Sequence, residues 1–316
     1  MPENEFDETS PSPARRVCGT MPVHRRLLTE DPGYAVAREA LENRAFAFET
    51  GRESPARAGV TVIPVVVHVV HRTAEQNIDE EQIRSQIDVL NQDYRMRNPD
   101  VSRVPAVWQP LVADCRIEFV LASRDPDGGP TDGITRTEAA LDSFGMDDAI
   151  KFAASGGRDA WPADQYLNLW VAPRLVDPQV GEILGYAQFP GGPSATDGVV
   201  IGHTFFGTTG TAAAPFDLGR TATHEVGHWL NLFHIWGDDG TGCSGTDFVA
   251  DTPNAGGPNF GTPGFPHVTC GNAPDGDMFV NYMDYTDDAA MFMFTQGQVA
   301  RMDATLEDAR SSFLKQ

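Results

Sequence analysis

His224, Glu225, His228 and His234 stand in the pattern H-E-x-x-H-x-x-N-x-x-H. Two histidines at i and i+4 lie about one turn apart on the same helix face. At that spacing both imidazoles can reach one Zn²⁺ at about 2.0–2.1 Å. Glu225, beside the first of them, can hold a water there and take its proton. His234 follows His228 by six residues, which on a continuous helix turns it roughly 600° away. The helix must therefore stop near Asn231 and turn back to deliver a third ligand. The reversal calls for φ > 0, where Gly is usual and Asn is the next best residue. Three histidines leave the fourth position of a tetrahedral zinc open for water, the catalytic form of such a site. H-E-x-x-H alone also fits two surface histidines on a helix; the third histidine argues against that.

Such a helix needs a scaffold. Residues Asp217 to about Leu232 read as the helix carrying the first two histidines. Upstream, VTVIPVVVHVVH (60–71) is a β-branched run of buried-strand character. DEEQIRSQIDVLNQDYR (79–95) puts Ile83, Ile87, Leu90 and Tyr94 at helical spacing, with acidic residues in the first turn. Further strands are expected at 116–122, 166–172, 183–189 and 198–201, with a helix near 146–154. Strands alternating with helices suggest an α/β (α+β) layer. Residues 295–310 read as a closing helix, with Thr295 as N-cap and Val299, Met302 and Leu306 on one face. Residues 1–56 look like a separate leader. They hold turn-formers from Ser10 to Pro13, a helical stretch around Tyr34 to Phe48, and a polar link. No internal repeat is visible.

The 316 residues carry 23 Lys+Arg against 45 Asp+Glu, a formal charge of −22. That balance argues against nucleic acid and against anionic lipid. No apolar run approaches the roughly 20 residues that span a bilayer. The N-terminus lacks the basic and then apolar pattern of a secretory signal. With 41% hydrophobic and 22% charged residues the composition is that of a soluble globular protein. The acidity is uneven. From Ile235 to Ala290 there are Asp238, Asp239, Asp247, Asp251, Asp275, Asp277, Asp284, Asp287 and Asp288, and no Lys or Arg. A solvated loop is the bland reading, and a cation-binding surface the sharper one. The position of the segment, directly after the third histidine, favours the second.

The extended histidine motif has a partner farther along in Asn281-Tyr282-Met283-Asp284-Tyr285. Together they resemble the zinc signature and Met-turn of the metzincin metalloproteases. The sequence MFVNYMDYTDDAAMFMFTQGQVARM resembles the pappalysin family within that group, especially its small prokaryotic members. The resemblance runs from about Val60 to the C-terminus and is strongest from Thr221 to Met302. It implies a metzincin zincin fold within residues 57–316. A twisted mixed sheet and the active-site helix would form an N-terminal sub-domain (57–234). A loop-rich C-terminal sub-domain (235–316) would hold the Met-turn and the closing helix.

By resemblance the chain is a secreted zinc metalloendopeptidase acting on protein or peptide substrates, and a monomer. His224, His228 and His234 would bind zinc, Glu225 would be general base and acid, and Met283 would floor the site. Tyr285 would stabilise the tetrahedral intermediate, a task a phenol donor can perform. Asp288 matches the family's acid at the base of the pocket for the residue after the scissile bond. A carboxylate there selects Arg, and less well Lys; Asp287 is an adjacent alternative. Cys243 and Cys270 match a family disulfide, while a second bridge is missing, one of its positions being Ala290. Relatives bind calcium near this loop, where Asp247 and Thr252 match and Asp251 is close by. Cys18, in Arg16-Val17-Cys18-Gly19-Thr20, resembles a pro-segment cysteine that binds the zinc of a latent zymogen.

The 1–56 pro-segment would be removed by the enzyme itself, at Ala56–Arg57 or Gly51–Arg52. The first is preferred because Val60 opens the strand soon after. Cys115 reads as a buried free thiol. His68, His71, His203 and His267 have no partner pattern and read as structural or surface residues. Two other readings compete. One is a catalytically weak or inactive zinc-bound binding module on the same fold, hinted at by Asn231 and the missing bridge and opposed by intact Glu225 and Tyr285. The other is a non-proteolytic metal hydrolase.

Overall fold

The computed structural model describes residue 13, residues 15–53 and residues 55–315. Of the turn-formers from Ser10 to Pro13, only Pro13 lies among them. Two helices come first, α1 (Thr20–Glu30) and α2 (Pro32–Glu49). Asp31 caps α2, accepting from the Gly33 and Tyr34 N–H groups, and Pro32 takes the first helical position. The helix α1 is not legible in sequence. TMPVHRRLLTE has no side-chain cap and no acidic first turn, and its buried Val23 and Leu27 pack against the sheet. Tertiary packing stabilises it where propensity does not.

The scaffold follows. Strand β1 (Thr61–His71) leads to α3 (Glu80–Asp93), whose N-cap Asp79 accepts from Gln82 N–H. Then come β2 (Ile117–Leu121), β3 (Ile134–Glu138), β4 (Leu167–Ala172), β5 (Val176–Asp177), β6 (Gly181–Glu182), β7 (Gly185–Ala187) and β8 (Val199–Gly202). The main sheet has the order β2-β1-β4-β8-β7, with β3 also on β1. Its pairs are parallel except β7 with β8, which is antiparallel. The sheet is thus mixed, as expected. Ile63, Val65, Val67 and Val69 of β1 share a core with Ile83, Ile87 and Leu90 of α3. Val70 faces a second cluster with Trp170, Tyr186 and the leader's Val23 and Tyr34. Coverage on both faces explains the continuous apolar run of β1.

Helix α4 (Arg220–Trp229) precedes a long irregular segment, and α5 (Gln296–Leu306) closes the chain. Thr295 and Gln298 form a capping box at the start of α5. Residues 146–154 depart from expectation. They form two 3₁₀ turns, Ala149–Lys151 and Ala153–Ser155, separated by an extended Phe152. A helix cannot continue there, because the chain folds back and Arg158 N–H donates to Ile150 O at 2.9 Å. A Cβ on Gly157 would lie 1.9 Å from that oxygen. The irregular segment is stapled by a Cys243–Cys270 disulfide with a Cα–Cα distance of 5.3 Å. Cys115 is buried and free.

Candidate active site

Helix α4 begins at Gly219, in the left-handed region at φ 75°, and every residue in it is buried. It starts three residues later than the apolar pattern suggests. Asp93 of α3 fixes its position: it accepts from Thr223 Oγ1 at 2.7 Å and from Tyr282 Oη at 2.9 Å, and pairs with Arg220 Nε at 3.0 Å. Burial lifts the Asp93 carboxyl to about 6, against the opposing pull of Arg220. One buried acid thereby ties α3, α4 and the turn around Met283 together.

The helix stops where the third histidine requires. Asn231 has φ 78°, Asn231 N–H donates to His228 O, and Leu232 N–H reaches back to Gly227 O at 2.9 Å. The Asn231 amide is buried, and neither its nitrogen nor its oxygen has a partner among the described residues. The residue therefore serves the turn by its backbone and not by its side chain. Gly227 has a separate reason. A Cβ there would stand 2.5 Å from Met283 Sδ, so its absence lets the methionine pack directly beneath the helix.

The three imidazoles converge. His224 Nδ1 lies 2.7 Å from Tyr282 O, His228 Nδ1 2.7 Å from Leu232 O, and His234 Nδ1 2.7 Å from Asp238 Oδ1. Each Nδ1 faces an acceptor and so carries the proton. Each Nε2 lone pair then points inward, with His228 Nε2 at 3.2 Å from His224 Nε2 and 3.1 Å from His234 Nε2. Lone pairs so close repel unless a cation lies between them. Two tetrahedral ligands at about 2.05 Å from one zinc stand roughly 3.3 Å apart, so the donor set fits that ion. Cys18 is the fourth member, and the ligand atoms of all four residues lie within 4.8 Å of one another.

Glu225 is 1% exposed. Its Oε2 accepts from Thr20 Oγ1 at 2.8 Å and from Cys18 Sγ at 3.3 Å. Burial raises its carboxyl to about 7. Burial, and then the charge of Glu225, push the Cys18 thiol well up. Tyr285 packs on His234 with ring centroids 4.9 Å apart and on Trp236 at 4.7 Å. Trp236 stacks flat on His234 at 4.3 Å.

Asp288 is fully buried. Its Oδ2 accepts from Leu218 and Arg220 N–H groups at 2.9 and 3.1 Å. Its Oδ1 receives Arg16 Nη2 at 2.5 Å. The same guanidinium donates to Thr221 Oγ1 and to Thr286 O, and lies over Phe216 with 5.0 Å to the ring centroid. Asp288, and not Asp287, therefore faces the bound guanidinium.

The leader is held as an added strand. Leu184 N–H donates to Val17 O and Gly19 N–H to Gly185 O, at 2.9 and 2.8 Å, and Cys18 pairs in parallel with Gly185. Ala187 N–H donates to Thr20 Oγ1. Beyond it, His24 packs at a tilt on Phe189 and edge-on against Phe233, with ring centroids 5.0 and 6.2 Å apart.

Away from this cluster, Asp247 is buried and accepts from Val249 N–H and Thr252 Oγ1; burial raises it to about 7. Asp251 accepts from Thr295 Oγ1 and Gly297 N–H and so caps α5. Arg57 is buried. Its Nε donates to Asp303 at 2.9 Å and its N–H to Glu307 at 2.7 Å, whereas Arg52 is exposed in the turn after α2. His68 is a core residue bonded to Thr135 and Asn168.

Sequence reasoning did not find Arg16, Thr20, Phe216, Thr221, Trp236 or Asp238 at the site. For Arg16 a signal existed: a chain expected to prefer Arg carries one two residues before Cys18.

Comparison with known proteins follows the same lines. The family model described as Pregnancy-associated plasma protein-A matches residues 153–307. Extracellular metalloprotease 1 of Coccidioides posadasii is 30% identical over 312 residues, covering 96% of this chain and 93% of its own. An extracellular metalloprotease of Pyricularia oryzae is 31% identical over 301 residues, covering 93% and 89%. Among solved structures, a promirolysin mutant of Tannerella forsythia superposes with TM-score 0.85 at 44% identity, covering 95% of this chain and 96% of that one. Mature mirolysin of the same organism, in complex with a cleaved peptide, gives TM-score 0.77 at 51% identity, covering 82% and 96%.

Proposed function

Because the chain belongs to the Pregnancy-associated plasma protein-A family, the pappalysins, and is a metalloendopeptidase, we propose that it uses zinc to cut peptide bonds on the N-terminal side of Arg, and less well of Lys, and that its own leader holds it latent. The observation that carries this reading is the leader's path. Within three residues it sets the Arg16 guanidinium on Asp288 and the Cys18 thiol among the three histidines.

His224, His228 and His234 would hold the zinc through Nε2. When bound, the ion supplies Lewis acidity, polarising a carbonyl and making water acidic near neutral pH. Glu225 takes a proton from the attacking water and returns it to the leaving amine. Tyr285 donates to the developing oxyanion. Asp288, Thr221 Oγ1 and Thr286 O accept from three nitrogens of a planar guanidinium. A Lys ammonium reaches the charge but does not match the set, which favours Arg.

The leader fits without being cut because its polarity is reversed. Its pocket residue, Arg16, precedes the residue at the histidines, Cys18. A substrate cleaved before its Arg has the pocket residue after the scissile bond. Cys18 therefore brings a thiol to the metal position, and Glu225 accepts from that thiol. Removal would divide the chain at about residue 56. In support, the mature mirolysin match covers 82% of this chain and the promirolysin match 95%. Arg57 has to leave Asp303 to be presented, so a first cut at exposed Gly51–Arg52 followed by one at Ala56–Arg57 fits the burial. Replacing Cys18 with Ala is expected to give a precursor that processes itself early, with Arg57 as the final N-terminal residue by sequencing. A mutant as latent as the parent contradicts the switch.

Secretion is supported by relatives named extracellular and by the disulfide. Calcium would bind at Asp247, a buried carboxylate with no cation paired to it among the described residues, with Thr252 adjacent; the helix-capping role of Asp251 makes it a poorer ligand. Without calcium, a folded-state pKa near 7 against the ordinary 3.8 means that Asp247 costs stability as pH rises from about 4 to 7. Calcium should therefore raise the melting temperature more at pH 7.5 than at pH 5, and Asp247→Asn should abolish that gain. An equal calcium response in the variant removes Asp247 from the site.

A further inference from the structure

We propose that departure of the leader uncovers a subsite for an acidic side chain of the substrate at Arg301, on the far side of the histidine cluster from Asp288. The proposal rests on the leader being removed as described above. The leader's contacts mark out the cleft in order: Arg16 at Asp288, Cys18 at the histidines, then, on the opposite side, His24 of α1 at Phe189 and Phe233, and Glu42 and Glu49 of α2 at Arg301. That opposite side receives the substrate residues before the scissile bond, since its Arg must point to Asp288.

The surface under α1 and α2 is aromatic and ends on a cation. Phe189 packs on His228 at 5.4 Å and on Phe233 at 4.8 Å between ring centroids. Arg301 lies over Phe233 at 5.6 Å and over Phe248 at 5.7 Å. An unbroken apolar shelf therefore runs from a zinc-binding histidine to a guanidinium. In the precursor Arg301 is 1% exposed, and its only ion pairs among the described residues are with two leader carboxylates, Glu42 at 2.7 Å and Glu49 at 2.8 Å.

Both partners leave with the leader. What stays with Arg301 is one backbone acceptor, Asn231 O at 3.3 Å to Nε. Of the acids that stay, Asp247 feels the charge of Arg301 but forms no ion pair with it among the described residues, and Asp251 is taken up by Thr295 and Gly297. Arg38, which shares Glu42 and also lies over Phe189, departs too. The processed enzyme is thus left with a fixed guanidinium, clamped at Nε, whose two terminal nitrogens have lost their acceptors. A carboxylate is the group that matches them, and Glu42 and Glu49 already show its approach.

The test uses the self-processed enzyme, its first residue identified by N-terminal sequencing. Quenched fluorescent peptides carry one Arg after the scissile bond, with Glu or Gln placed at each earlier position in turn. Glu at one of those positions should raise kcat/KM about 10-fold over Gln, the worth of one charge-assisted pair in a sheltered site. The gain should shrink in about 0.5 M NaCl and vanish in Arg301→Gln, read as the Glu-to-Gln ratio of kcat/KM within that variant. A flat Glu-versus-Gln scan in the parent overturns the subsite without any variant. A gain that survives Arg301→Gln overturns its assignment to Arg301. Sequencing that finds the leader still attached to active enzyme overturns the premise instead, a failure distinguishable from both.

Discussion

Glu225→Ala should leave a folded, zinc-binding protein whose peptide turnover is lower by roughly 10⁴-fold, the upper range for loss of a positioned general base. The substitution removes a carboxylate whose partners, Thr20 and Cys18, both belong to the leader. Once the leader is gone, nothing in the fold depends on it. With no hydrogen-bond partner outside the leader among the described residues, its loss should not lower the melting temperature of the processed enzyme. The histidines keep their own acceptors, Tyr282 O, Leu232 O and Asp238, so zinc content should stay at one ion per chain. The variant precursor should also accumulate uncut, so its turnover is measured after the leader has been cut away by added parent enzyme that is then removed. Turnover within tenfold of the parent, with zinc bound, would remove Glu225 from the reaction.

Asp288→Asn should have two opposite effects. In the processed enzyme, kcat/KM on Arg peptides should fall by roughly 10²–10³-fold, as expected when one partner of a buried charge pair is lost. In the precursor, the same change leaves Arg16 buried at 2% exposure without its carboxylate, so the leader should loosen and release sooner. A double-mutant cycle with Arg16→Gln separates the two. Latency should be less sensitive to Asp288→Asn when Arg16 is already gone, while the loss on Arg peptides should be unchanged. An Asp288→Asn precursor as tightly closed as the parent would mean that Arg16 does not secure the leader.

The parts of this molecule that repeat a period were legible in its sequence, and the parts that depend on distant contacts were not. The β-branched run of β1 and the spacing of Ile83, Ile87 and Leu90 in α3 each reflect burial on a known face. H-E-x-x-H and Asn231 could be read because helix geometry alone says which residues share a face and where the chain must turn. Strand β3, ITRTE, was missed because its residues are only partly buried or exposed and it is a strand through pairing with β1. Residues 146–154 read as a helix because nothing local reveals that Gly157 lies against Ile150. At the site, Asp288 is proposed by resemblance, and the structure shows it paired with Arg16. The groups around the Arg16 guanidinium, Phe216, Thr221 and Thr286, come together only because α4 packs beside the turn after Met283. Burial also decided what residue type could not: Arg57 is tied to Asp303, and Asp251 caps α5.

The most direct measurement is mass spectrometry of the new N-termini that the processed enzyme creates in a denatured protein mixture, with a zinc-chelated sample as blank. The account predicts that they begin almost entirely with Arg, with Lys a distant second, and that chelation abolishes them. Termini spread over many residue types, or an Arg preference on the other side of the cut bond, would contradict it.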